Sequence, residues 1–117
     1  MTINLVKVLA AAALMAPIAL SPAQAARAER NCYEDIGCPW KELAPFDQLR
    51  NLSCQALAHV RNHTYYENYY CFHRQSAIAS YGNAGCKYQL TALMVFNSFE
   101  RINLGRIHHI EKEKRCR

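Results

Sequence analysis

The sequence predicts a mainly α, small single domain: two principal helices and a short one, stapled by disulfides and preceded by an irregular segment. Three observations lead there. An export signal occupies the first 25 of the 117 residues, and all six cysteines fall after it. Two later stretches carry apolar residues at helical spacing behind a recognisable N-cap.

The export signal comes first in the chain. Lys7 precedes an apolar run from Val8 to Leu20, Ser21-Pro22 ends it, and Ala23-Gln24-Ala25 follows. A positive start, an apolar core and an A-x-A site describe a secretory signal peptide cleaved after Ala25. The run is 13 residues long, whereas a membrane-spanning helix needs ~20. Pro17 also interrupts it. Cys32 lies seven positions beyond Ala25, too far for a lipid anchor. Removing 25 of 117 residues leaves 92, with 13 basic and 9 acidic side chains and a net charge of +4. The sequence therefore places the mature protein in the periplasm or outside the cell, with no transmembrane segment. The 51% apolar content excludes a disordered chain, and no repeat is long enough for a solenoid.

A domain of this size buries a modest core and commonly needs covalent support. An even cysteine count in an exported chain reads as three disulfides, among 15 possible connectivities. A metal site would need close pairs such as C-x-x-C, and the closest spacing is Cys32 to Cys38.

Residues 26–52 read as irregular, because Gly37, Pro39 and Pro45 interrupt regular structure, with Trp40 and Phe46 as core plugs. Residues 53–117 form the helical domain. Ser53 is the N-cap of a helix over Cys54 to Glu67, with Leu57, Val60, Arg61, Thr64 and Tyr65 on one face. Gln75 to Tyr81 forms a short helix, ended by the turn Gly82-Asn83-Ala84-Gly85. Cys86 to Phe96 is apolar without a period and reads as loop. Asn97-Ser98-Phe99-Glu100 is a capping box, and the helix behind it runs to about Lys114. Phe99, Ile107 and Ile110 make its central stripe, flanked by Ile102 and Leu104.

Several of these segments recur together in one known family. Ser53-Cys54-Gln55-Ala56-Leu57, Arg61-Asn62-His63-Thr64-Tyr65, Tyr70-Cys71-Phe72 and Tyr81-Gly82-Asn83-Ala84-Gly85-Cys86 precede the Asn97 cap and Glu111 through Cys116. In order and spacing this resembles the YARHG domain of small exported bacterial proteins, over residues 53–116. The resemblance implies an extracytoplasmic module. The eponymous motif falls on Tyr65-Tyr66-Glu67-Asn68-Tyr69, which keeps only its first tyrosine, so roles of the family's Arg and His do not transfer. The family's Gly corresponds to Tyr69, and the expected remedy is a rebuilt turn with Asn68 in the left-handed conformation.

No catalytic constellation emerges. His59 and His63 sit at i, i+4, but Val60 stands where a metalloprotease motif needs Glu, so both read as a solvated face. His108 and His109 are adjacent and diverge on a helix. A ribonuclease-like set would draw on His59, His63, His73, His108 and Lys87, with no spacing that converges them. Arg61 and Asn62 read as structural, capping another element and a loop. No cofactor and no nucleic-acid partner is expected. The distinctive feature is Tyr65, Tyr66, Tyr69 and Tyr70 with Phe72. Tyr65 and Phe72 are assigned to the core. Tyr66, Tyr69 and Tyr70, with Arg74 and Lys87, form a basic aromatic surface suited to an envelope protein, an anionic cell-wall polymer or membrane headgroups. The leading expectation is a non-enzymatic binding module. The alternatives are an inhibitor of an envelope or host enzyme such as lysozyme, using Gln75 to Tyr88 as its loop, and a small cationic hydrolase.

Antiparallel packing of the two long helices sets the start of the first beside the end of the second, which pairs Cys54 with Cys116. Cys71 and Cys86 flank the short helix and pair around a 16-residue loop, worth about 3 kcal/mol in the chain-entropy picture. Cys32–Cys38 follows by elimination.

Overall fold

The computed structural model describes residues 30–117, so the signal peptide expected over residues 1–25 lies outside the described residues. Among the described residues the chain is mainly helical: α1 (Phe46–Arg50), α2 (Cys54–Glu67), α3 (Gln75–Tyr81), a 3-10 turn (Thr91–Leu93) and α4 (Ser98–Glu113). Its β structure there consists of two isolated bridges, Tyr33 with Gly37 and Tyr70 with Tyr88.

The two long helices start where their caps dictate. Ser53 Oγ accepts the amide of Ala56. At α4 the Asn97 side chain accepts the Glu100 amide at 2.8 Å, and the Glu100 carboxylate accepts the Asn97 amide at 3.0 Å. Both reciprocal halves of the capping box are thus formed.

Both helices end in the same motif. Tyr70 N–H bonds to Tyr65 C=O and Tyr69 N–H to Tyr66 C=O; Cys116 N–H bonds to Glu111 C=O and Arg115 N–H to Lys112 C=O. These are paired 6→1 and 5→2 bonds, which require a left-handed residue after the cap. Tyr69 (φ 68°) and Arg115 (φ 56°) supply it. The expected left-handed Asn68 is corrected: Asn68 has φ −104°. Its amide is committed elsewhere, donating to Thr64 C=O and to Glu100 Oε2, both at 2.9 Å.

α2 and α4 pack antiparallel, as a series of paired side chains shows. Cys54–Cys116 closes one end. Arg61 Nη1 pairs with Glu111 Oε2, the Tyr65 hydroxyl lies 3.1 Å from His108 Nε2, and Asn68 meets Glu100 at the far end. Leu57, Val60, Ile107 and Ile110 are buried in the main core. The Cys32–Cys38 and Cys71–Cys86 bridges complete three disulfides. Such bridges are compatible with an oxidising, extracytoplasmic setting. No helix among the described residues is long and apolar enough to cross a membrane.

Two expectations about packing are corrected. The segment before Ser53 contains helix α1 and contributes Ile36, Ala44 and Leu49 to that same core. Trp40 and Phe46 do not plug it. Trp40 is half-buried beneath the Lys41 ammonium, and Phe46 lies on the surface with the Arg106 guanidinium 4.8 Å from its ring centroid. The compact aliphatic side chains reach between α2 and α4, while the large rings cover the outside against cations.

The buried face of α4 is also rotated from the apolar stripe. It comprises Glu100, Asn103, Leu104, Ile107, Ile110 and Glu111, while Phe99 and Ile102 are exposed. Each buried polar residue has a partner that removes the cost of burying it. Asn103, 2% exposed, is the most heavily used. Its Oδ1 accepts from Ala44 N–H at 2.8 Å, and its Nδ2 donates to Pro39 C=O at 2.9 Å and Glu42 C=O at 2.8 Å.

Replacing Asn103 with Leu keeps the volume but strands three backbone groups, each worth about 1–3 kcal/mol when left unsatisfied. Asn103→Leu is expected to destabilise the domain by about 3 kcal/mol or more, read as a fall in Tm of at least about 10 °C. A Tm within experimental error of the parent would remove Asn103 from this role. At Tyr69, Gly tolerates the left-handed conformation that Ala resists, so Tyr69→Gly is expected to be more stable than Tyr69→Ala by about 1 kcal/mol. Equal denaturation midpoints for the two variants would contradict a left-handed helix end.

Candidate functional site

A second apolar cluster lies where α3 folds back on α2. Tyr66, Phe72 and Ala77 are buried in it, with Tyr65, Tyr70, Ile78 and Tyr81 packed around them. Phe72 stacks on Tyr81 at 5.2 Å between ring centroids, and Tyr70 meets Phe72 edge-on at 5.1 Å. Geometry of this kind adds to the burial of the rings themselves.

The segment linking α2 to α3 is tied down by several independent bonds. Cys71 N–H donates to Tyr88 C=O at 2.8 Å, and Lys87 N–H to Tyr69 C=O at 2.7 Å. The Asn83 side chain bonds both backbone groups of Phe72, accepting at 2.7 Å and donating at 2.9 Å. Cys71–Cys86 closes the same loop. Gly82 and Gly85, at φ 74° and 72°, allow the chain to double back.

This scaffold supports a pocket of about 250 Å3. Phe72 and Ala77 form its buried floor and Tyr65 and Tyr70 its half-buried walls, with Arg61, Asn62, His73 and Arg74 around the opening. The two arginines differ. Arg61 is held by Glu111 through Nη1 and by the Asn62 side chain through Nε at 3.3 Å. Arg74 is exposed, and no carboxylate of the described residues pairs with it. His73 Nε2 lies 2.9 Å from Gln89 C=O, which fixes its ring at the rim. Burial holds the Tyr65 phenol above its ordinary range, opposed by the nearby Arg61 charge. The pocket thus offers two aromatic walls and an uncompensated guanidinium, while the Tyr65 hydroxyl is taken up by His108.

Of the surface residues singled out from the sequence, Tyr70 and Arg74 meet in this pocket. Tyr69 and Lys87 form a separate pair, with the ammonium 4.7 Å from the ring centroid. The assignment of Tyr66 to the surface is corrected. It is 8% exposed and packs under Tyr81, because α3 covers that side of α2. Arg61 and Asn62 do not cap other elements; they bind each other and Glu111 at the pocket mouth. His73 and Asn62 were not legible as site residues, since only the fold-back of α3 brings them together. Gln75 to Tyr88 is no free loop: its first half is α3 and its second half is bonded to Tyr69, Cys71 and Phe72.

The histidines on α2 are not both solvated. The His63 side chain is 15% exposed and that of Glu67 7%, with His63 Nδ1 3.4 Å from Glu67 Oε1. His59 is more open, and its Nδ1 lies 3.1 Å from the Tyr81 hydroxyl. Among the described residues no group of three or more His, Cys, Asp or Glu is placed to hold a metal ion. A larger cleft of about 550 Å3 runs beside His59, between the Tyr33–Ile36 turn and the start of α2. Its charged groups are the exposed Glu34 and Asp35, and its imidazole is already bonded to Tyr81.

Burial, reinforced by the neighbouring His63, holds His59 below its ordinary 6.5. As the pH falls, the unfolded chain therefore takes up this proton before the folded one does. The contribution of His59 is complete above about 6.5 and is lost below it. Glu113 acts in the same direction at lower pH: its hydrogen bond from Arg50 holds the carboxyl below 4.5. Thermal melts between pH 8 and 5 are expected to show a falling Tm, with a shallower fall in His59→Gln. Parallel curves for parent and variant would dismiss His59 as the source.

Comparison of the chain with protein-family models, with curated proteins and with solved structures gives no match.

Proposed function

We propose that the chain is an exported, disulfide-stabilised, non-enzymatic binding module of the bacterial cell envelope, similar to YARHG domains, whose α2–α3 pocket takes an anionic ligand. The observation that carries this reading is Arg74, an uncompensated guanidinium at the mouth of a rigid, tyrosine-walled pocket. Guanidinium forks match carboxylate and phosphate oxygens, and such charge-assisted hydrogen bonds are about twice as strong as neutral ones. Tyr65 and Tyr70 line the pocket with aromatic surface suited to the apolar side of a sugar ring or to an aliphatic stem. Arg61 is already neutralised by Glu111. An acidic cell-wall polymer is the ligand class that combines repeated anions with ring faces.

The test is co-sedimentation of the mature domain with purified, protein-free anionic cell-wall polymer, with Tm measured on the same samples. The parent is expected to sediment. Arg74→Ala is expected to bind about tenfold more weakly, the loss of one charged hydrogen-bond partner, at unchanged Tm. Equal binding by parent and variant, or no sedimentation of the parent, would overturn the assignment of this pocket.

A further inference from the structure

Residues 68–99 contain no Asp or Glu, while Arg74 and Lys87 fall within them and Arg101 stands just beyond. The later part of this stretch, Gln89 to Phe96, carries large apolar side chains on the outside of the molecule. Leu90 and Leu93 are each 60% exposed and Val95 is 80% exposed. Phe99 and Ile102, one helical turn apart at the start of α4, add 40% and 43% exposed side chains. Met94 alone in the 3-10 region is buried, and Phe96 is half-buried against Tyr65. Single exposed apolar residues are ordinary, but three of them within the six residues from Leu90 to Val95 mark a surface that meets something.

The charges around it select the partner. Arg101 lines a shallow cleft together with Thr91, Ala92 and Phe96, so a cation stands directly beside the apolar turn. Lys87 precedes Leu90 by three residues and is exposed. Glu100, the nearest carboxylate in sequence, is 4% exposed and is bonded to Asn97 and Asn68. An apolar tip with Arg101 beside it, in a stretch that has no Asp or Glu from 68 to 99, matches an anionic bilayer interface. There apolar side chains enter the boundary between headgroups and acyl chains while Lys and Arg meet phosphates. We infer that the Leu90–Val95 turn, with Lys87 and Arg101, docks the domain on an anionic lipid surface. This surface is distinct from the Arg74 pocket and does not depend on it.

Co-sedimentation with vesicles tests the inference. Vesicles of phosphatidylglycerol and phosphatidylcholine in equal parts are expected to carry down the mature domain, less so at high salt, and vesicles of phosphatidylcholine alone to leave it in solution. Leu93→Asp/Val95→Asp is expected to bind the mixed vesicles at least about tenfold more weakly at unchanged Tm, since both sites are exposed. It should keep its binding to cell-wall polymer, while Arg74→Ala should keep vesicle binding. Lys87→Gln/Arg101→Gln, which leaves the apolar tip intact, should flatten the salt dependence. Absence of vesicle binding by the parent, or equal binding by the Asp variant, would overturn the inference. So would a parent dimer that the Asp variant turns into monomer, which would assign the surface to a second copy of the chain.

Discussion

The carboxamide of Asn103 is the interaction on which the rest of the domain depends. A helix of α4's length has no backbone group to offer a neighbouring loop, yet residues 39–44 must cross its buried face. Three main-chain groups of that crossing are removed from water, and a single side chain with two donors and an acceptor satisfies all of them. Asn97 and Arg106 extend the same grip, bonding Trp40 C=O and Ala44 C=O. Because the crossing is held, Ile36, Ala44 and Leu49 can supply three of the seven buried residues in the main cluster. Without them α2 and α4 would present an open apolar face, and a domain this small has no spare core to cover it.

The second constraint is the polar seam between α2 and α4. Pairing Arg61 with Glu111 in a largely buried setting is at best neutral for stability once both charges leave water. What such a pair does is fix register: a slip of one turn between the helices would separate both partners and also pull Asn68 from Glu100. The Cys54–Cys116 bridge enforces that register covalently. Its separation of 62 residues also makes it the bridge that most restricts the unfolded chain, worth about 4 kcal/mol in the chain-entropy picture. The left-handed Arg115 turns the chain so that Cys116 reaches Cys54. Helix end, disulfide and ion pair therefore specify one alignment three times over.

Local chemistry was legible in the sequence, and long-range polar contacts were not. The bounds of α2 and α3 follow from Ser53 and from the Gly82 turn, and α4 begins at its capping box, because each signal acts within a few residues. Antiparallel helices imply Cys54–Cys116, the short helix between Cys71 and Cys86 implies the second bridge, and elimination leaves Cys32–Cys38, all as the structure shows. The buried stripe of α4 departs from its apolar stripe because a count of apolar residues discards Glu100, Asn103 and Glu111, whose burial depends on partners 32 to 64 positions away. Tyr66 takes a buried place instead of its expected surface one, beside a half-buried Tyr65, for a related reason. Adjacent residues on a helix point about 100° apart, and α3 covers the side bearing Tyr66. Tyr70 and Arg74 were identifiable from composition alone, whereas their meeting with Arg61 and Asn62 required the fold-back of α3.

Tyr65 links the two surfaces of interest. It walls the Arg74 pocket on one side and lines the cleft of Thr91, Ala92 and Arg101 on the other, with Phe96 against its ring at 6.0 Å. His73, at the pocket rim, is bonded to Gln89, from which the exposed apolar turn departs. Both surfaces are thus mounted on one short stretch of backbone, and the Cys71–Cys86 bridge with the Tyr70–Tyr88 pairing holds that stretch together. A loop of this kind would otherwise lose much of its affinity to the cost of ordering it on contact. The disulfide that supports a small core therefore has a second consequence. It fixes the distance and orientation between the Arg74 pocket and the exposed apolar turn.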